Sequence, residues 1–205
     1  TAVSSPSLKP LAAWMDDLVR RIEFIQSWVE HGAPASFWVS GFFFQQAFLT
    51  GTLQNYARKY SVAIDNVSFG FHVLREMGGP GAEITEHPKD GCIIYGLFLE
   101  GAGWDPAAGV LVESKPKELF VGFPAIWLEP MTERAPPTGG IYSCPVYKTL
   151  TRAGTLSTTG HSTNFVLMVE LPSAEPCSGI FSKYCESYST LWIKRAVALF
   201  TSLNY

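Results

Sequence analysis

The sequence predicts an α+β chain in which helices come first and an antiparallel sheet or barrel follows. Two observations carry this prediction. In the first third, apolar residues recur every three or four positions, the spacing of a helix face. Past Asp65 the period falls to two, in short runs separated by glycine and proline, as in an all-β unit.

The first helix is expected over residues 10–31. Leu11, Trp14, Leu18, Ile22, Ile25 and Val29 trace one face, and Asp16, Asp17, Arg20, Arg21 and Glu23 lie largely off it. Gly32 and Pro34 stop it in the expected order. That face can pack on its own domain, dock on a neighbour, or do both. Residues 33–40 read as a loop with Phe37 and Trp38 turned inward. A second helix is expected over residues 40–59. Phe42, Leu49, Leu53 and Tyr56 form one stripe, and Phe44, Phe48 and Gly51 a second, so a wide arc should be buried. Its last turns are polar, with Gln54, Asn55, Arg58 and Lys59. Cations there suit the negative end of a helix.

The strands follow. Val67, Phe69, Phe71 and Val73 alternate with Ser68, Gly70 and His72. After a glycine-rich loop at residues 78–81 and the turn Asp90-Gly91, CIIYGLFLEG is apolar at both parities and reads as one central strand. Shorter strands are expected near residues 119–121 and 125–128. Proline-rich sequence at residues 130–137 separates them from strands at 142–148, 165–171 and 191–200. No internal repeat is present.

The 205 residues are 47% hydrophobic and 16% charged, enough apolar side chain for a core and too little charge for a disordered protein. The net charge of −3 argues against nucleic acid and against direct binding to an acidic surface such as a microtubule wall. No apolar run approaches the roughly 18 residues of a membrane span. The first ten residues, TAVSSPSLKP, lack the basic and apolar regions of a signal peptide and an initiator Met, so the sequence reads as a piece or a processed product. Cys92, Cys144, Cys177 and Cys185 contain no C-x-x-C pair and read as free thiols, with Cys177 and Cys185 near enough in sequence to pair under oxidising conditions.

Residues with catalytic potential are few. No G-x-x-x-x-G-K-[ST] loop occurs, so a P-loop phosphate cradle is missing. The stretch GTLSTTGHSTN at residues 154–164 offers Ser157, His161 and Ser162, but no G-x-S-x-G elbow and no particular acid complete a triad. Small hydroxyl residues between two strands more often make a turn. His31, His72 and His87 are isolated, which disfavours a metal cluster. Glu83, Glu86 and Asp90 read as a solvated loop. Catalytic, cofactor and metal residues are therefore all expected to be absent.

Three ordered segments then carry a resemblance. The first is FWVSGFFFQQAFLTGTLQNYARK at residues 37–59, continued by Ile64-Asp65 and VSFGFHVL. The second is DGCIIYGLFLEGAGWD at residues 90–105, continued by Glu113-Ser114 and PKELF. The third is YSCPVYKTLTRAGTLSTTGHSTNFVLMVELP at residues 142–172, closed by WIKRAVALF at 192–200. Together they resemble the C-terminal domain of a dynein heavy chain, and the third resembles the axonemal branch. Gln45 stands where such proteins usually have Pro, Gly103 where a basic residue is common, and Ala196 where Gly is usual. The stretch 177–190 is longer than is typical.

The resemblance implies helices followed by an antiparallel, incomplete β-barrel, lying across one face of a ring of AAA+ modules. It divides the sequence into a helical unit with a ring-connecting helix at residues 1–65 and a barrel at 66–205. It implies a non-catalytic part of an ATP-driven motor that tunes force, processivity or ring coupling. ATP and Mg belong to the parent ring. The partner is the ring of the same heavy chain, and microtubules and intermediate or light chains are reached only through the parent motor. The implied location is the cytoplasm and cytoskeleton, in the axoneme of a cilium or flagellum. Within the residues themselves, Gln54, Asn55 and Arg58 are the candidate interface. A domain that docks on a ring should also expose an apolar patch, larger than the ~300–600 Å² usual on monomers. The rival readings are a stand-alone hydrolase using Ser157, Ser162 and His161, and a stand-alone ligand-binding β-barrel.

Overall fold

The computed structural model describes residues 10–79, 84–133, 140–155, 164–173 and 188–203. Helix α1 spans Leu11–His31 as its periodicity predicts, and Gly32 ends it at φ 90°, donating its N–H to Trp28 O. A short strand β1 (Ser36–Trp38) and a 3-10 turn (Val39–Gly41) lead to helix α2 (Gln45–Tyr60). The sequence placed the start of α2 near Ser40. In the structure Phe42 (φ −82°, ψ 131°) and Phe44 (φ −129°, ψ 78°) stay non-helical, so the three phenylalanines bridge the two helical pieces. Phe42 stacks on Phe48 with centroids 4.3 Å apart, whereas Phe44 is exposed, not buried as its place in the stripe suggested.

After a second 3-10 turn (Ile64–Asn66) come strands β2 (Ser68–Val73), β3 (Cys92–Tyr95), β4 (Leu97–Glu100), β5 (Gly103–Asp105) and β6 (Val110–Val112). Strands β7 (Phe120–Phe123), β8 (Ile126–Met131), β9 (Ile141–Tyr147) and β10 (Phe165–Pro172) follow. Helix α3 (Tyr188–Lys194) and strand β11 (Ala198–Phe200) close the series. The strands form a four-stranded sheet ordered β1-β3-β8-β2, a five-stranded sheet ordered β10-β9-β11-β4-β7, and the hairpin β5-β6.

The expected single strand CIIYGLFLEG is split. Gly96, at φ 86°, breaks it into β3 and β4, which enter different sheets. A Cβ at Gly96 would also lie 2.8 Å from Trp38 Cδ1, so the corner is closed by close packing. Pro124-Ala125 makes the matching corner between β7 and β8. The two larger sheets thus share two continuous backbone segments. Their facing sides bury Ile94, Leu97, Leu99, Phe123, Ile126, Leu128, Val146, Val169 and Leu171.

The fold is therefore mixed α and β, with three open sheets among the described residues. Antiparallel pairing dominates, but two pairs, β1 with β3 and β11 with β9, are parallel and correct the all-antiparallel expectation.

Residues 191–200, expected as a strand, are half helix. Ala196 N–H bonds to Ile193 O and Val197 N–H to Trp192 O, the paired bonds of a Schellman cap. Ala196 takes the left-handed position at φ 53°, where glycine fits best. Trp192 and Val197 are both buried, as the cap's apolar contact requires.

Candidate functional site

Helix α1 has no fully buried residue. Its inward face is Trp14, Asp17, Leu18, Arg21, Phe24 and Trp28, spaced at three and four. The attachment is mostly aromatic. Phe24 meets Trp38 and Phe42 edge-on at 6.1 and 5.6 Å, and Trp28 meets Phe37 and Phe42 at 5.2 and 6.1 Å. Arg21 completes the clasp. It pairs with Asp17 at 2.8 Å, approaches Phe42 O at 3.5 Å, and lies over the rings of Trp38 and Phe43.

The stripe the sequence singled out lies about 100° around the helix from this clasp, one residue on from Arg21 and Trp28. Trp14 and Leu18 of that stripe are half-buried at its edge. Leu11, Ile22, Ile25 and Val29 are exposed, Leu11 at 74% and Val29 at 80%, and Met15 and Val19 are exposed beside them. A continuous apolar face therefore runs along a helix of about 30 Å without a partner among the described residues. On the opposite flank of the clasp, Arg20, Glu23, Trp28, Trp38 and Tyr95 line an open groove of about 630 Å³.

The candidate interface residues at the end of α2 are all exposed and line two hollows. Gln54 and Arg58 line a shallow hollow with Ser61, Val62 and Ile64, whereas Asn55 lines another with Tyr56, Lys59 and Asp90. In the second hollow Asp90 accepts from Lys59 Nζ at 2.6 Å and from Tyr60 OH at 2.8 Å. The Lys59 hydrogen bond holds the Asp90 carboxyl below its ordinary range, and the same bond raises the Lys59 pKa.

Ser157, His161 and Ser162 lie outside the described residues. The described residues on either side of them make structural contacts. Asn164 is buried, accepts from Thr149 N–H at 2.9 Å and donates to Ala153 O at 2.8 Å. Arg152 pairs with Glu100, donates to Ala196 O at 2.6 Å and lies over Phe200. His31 sits by Ser27 O, His72 pairs with Glu129 at 2.8 Å, and His87 is exposed elsewhere. Among the described residues no three metal-ligating side chains cluster, and no helix is long and apolar enough to cross a membrane. Cys92 and Cys144 are buried free thiols, and burial pushes the Cys92 thiol up to about 12. Cys177 and Cys185 lie outside the described residues.

The sequence missed Phe43 and Phe44, exposed at 67% and 55%, and Lys148, whose Nζ lies over the Phe44 ring. Three adjacent phenylalanines in a helical period gave no signal that the helix starts after them.

Fold and surface together describe a mixed α/β protein with one long unpartnered apolar helix face among its described residues. The family model for the C-terminal domain of dynein heavy chains matches residues 1–201, and the protein belongs to that family. It is 53% identical to dynein axonemal heavy chain 1 of Homo sapiens over 205 residues, which is all of this sequence and 4% of that protein. It is 48% identical to dynein axonemal heavy chain 3 of Homo sapiens over 99% of this sequence and 4% of the relative. Against dynein axonemal heavy chain 12 of Homo sapiens the identity is 45%, over 98% of this sequence and 6% of the relative. The 205 residues thus span only a small part of the length of the curated relatives they match.

Proposed function

We propose that this protein is a non-catalytic C-terminal module of an axonemal dynein heavy chain. It packs on the AAA+ ring of the same heavy chain and tunes force, processivity or coupling between ring modules. The observation that carries the reading is the exposed face of α1, with Leu11, Met15, Val19, Ile22, Ile25 and Val29 turned to solvent. An apolar stripe of this length on a helix already clasped by an adjoining face is the form of a docking element. Residues 1–65 supply the ring-connecting unit. Residues 66–205 supply the body, in which the two larger sheets, joined at Gly96 and Pro124, form the incomplete barrel. Gln54, Asn55 and Arg58 give a secondary polar contact.

On this reading ATP and Mg are held in the parent ring, and this module contributes no group to that chemistry. Microtubules and intermediate or light chains are reached through the parent motor, in the axoneme of a cilium or flagellum. A heavy chain truncated before this module tests the proposal. It should bind ATP but show altered force, velocity or run length. If all three are unchanged, the proposal fails.

A further inference from the structure

Among the described residues, Lys148 is a half-buried cation without a carboxylate partner. It follows β9, and its backbone N–H is held by Asn164 O at 2.9 Å. Its Nζ lies 5.8 Å from the centroid of the Phe44 ring. Arg21, Lys59, Arg152 and Arg195 each pair with a carboxylate, whereas none of the described carboxylates pairs with Lys148. Burial alone lowers its pKa. A partly desolvated ammonium group that meets a ring face and no described carboxylate gains from an incoming one.

The surface beside it carries two exposed rings. Phe44 and its neighbour Phe43 are exposed on the non-helical bridge before α2. Phe43 lies 5.3 Å from the Arg21 guanidinium, and Arg21 is adjacent in α1 to exposed Ile22. The inward face of α1 thus reaches Phe43 through Arg21, and Phe44 follows Phe43 in the bridge.

We propose that Phe44 and Lys148 form a docking anchor for a carboxylate-bearing side chain on an apolar segment of the same heavy chain, outside residues 1–205. This rests on the ring-docking reading and adds the chemistry of the contact. The carboxylate replaces the hydration Lys148 lacks, and Phe44 supplies the apolar surface that keeps water from the pair.

Zero-length carbodiimide crosslinking of the intact heavy chain, read by mass spectrometry, tests it. The reagent joins lysine amines to nearby Asp or Glu. The Lys59–Asp90 pair, 2.6 Å apart, is the internal control. The expected result is a link from Lys148 to an Asp or Glu of the heavy chain outside residues 1–205. Phe44→Ala should reduce that link roughly fivefold or more while leaving Lys59–Asp90 unchanged. Lack of a Lys148 link beside a normal control overturns the anchor. So does a link only to residues 1–205 of a second copy, or only to an accessory subunit. The carboxylates of α1, Asp16, Glu23 and Glu30, separate the two readings. If they join lysines outside residues 1–205 while Lys148 does not, ring docking stands and the anchor falls. If neither joins, both fall.

Discussion

Gly41 lies directly beneath Phe24: a Cβ at Gly41 would sit 2.8 Å from Phe24 Cδ1 and 2.9 Å from Trp38 Cε3. The missing side chain is what lets α1 come close enough to the body for its rings to interlock. Gly41→Ala should displace Phe24, cost about 1–3 kcal/mol as overpacking does, and loosen α1 selectively. Hydrogen exchange is the measurement. Faster exchange in α1 with β3 and β8 unchanged is the expected pattern, and unchanged α1 protection would show that the clasp does not hold the helix.

Ala196 carries left-handed strain inside a cap that is otherwise fully formed. Replacing it with glycine should stabilise the protein by about 0.5–1 kcal/mol. In thermal unfolding this is a rise in Tm of roughly 1–4 °C. A fall in Tm would mean that the alanine methyl contributes packing worth more than the strain.

These two sites show which parts of the fold were legible. The alternation of β2 and β10 could be read directly because each packs one face on the body, and the helical period of α1 came from a stripe the structure leaves largely exposed. The corner at Gly96 could not, since a run apolar at both parities has no period to break. The segment at 191–200 reads as strand by its apolar run, but the turn at Ala196 divides it into helix and strand. The apolar face of α1 was legible as a stripe but not as exposed. The residues that clasp α1, Phe24 and Trp28, lie beside the stripe on the same helix, and periodicity cannot say which of two adjoining apolar faces finds a partner. Phe44 and Lys148 are 104 positions apart, and no local pattern brings them together.

The Lys59–Asp90 pair predicts a defined pH dependence. Asp90 is held below its ordinary carboxylate range, so its contribution is present above about 3.9, the unfolded value, and is lost as pH falls through the lower folded value. Lys59 is raised, so its contribution is present below the ordinary lysine value and lost as pH rises through the higher folded one. Asp90→Asn should therefore lower stability at neutral pH, and the gap from the parent protein should close as pH drops below about 4. Unfolding curves across that range check it. A gap independent of pH would assign the loss to contacts that do not depend on the carboxylate's charge.

The buried thiols give a chemical readout of packing. Cys92 and Cys144 are 3% and 0% exposed, and burial raises both pKa values. At about pH 8 iodoacetamide should leave both unmodified in the folded protein and label both once denaturant is added. Labelling of Cys92 without denaturant would mean that α2 opens away from β3.

Ring docking stands or falls on the exposed face of α1. Ile22 and Val29 are 52% and 80% exposed, so Ile22→Asp with Val29→Asp should change the stability of the 205-residue protein by no more than about 0.5 kcal/mol each. The decisive measurement is single-motor force, velocity and run length of the intact heavy chain with both substitutions in place. Docking through α1 predicts values shifted toward those of a motor lacking the whole module, with ATP binding retained. Motor output identical to the parent, while truncation of the module alters it, would contradict docking through this helix.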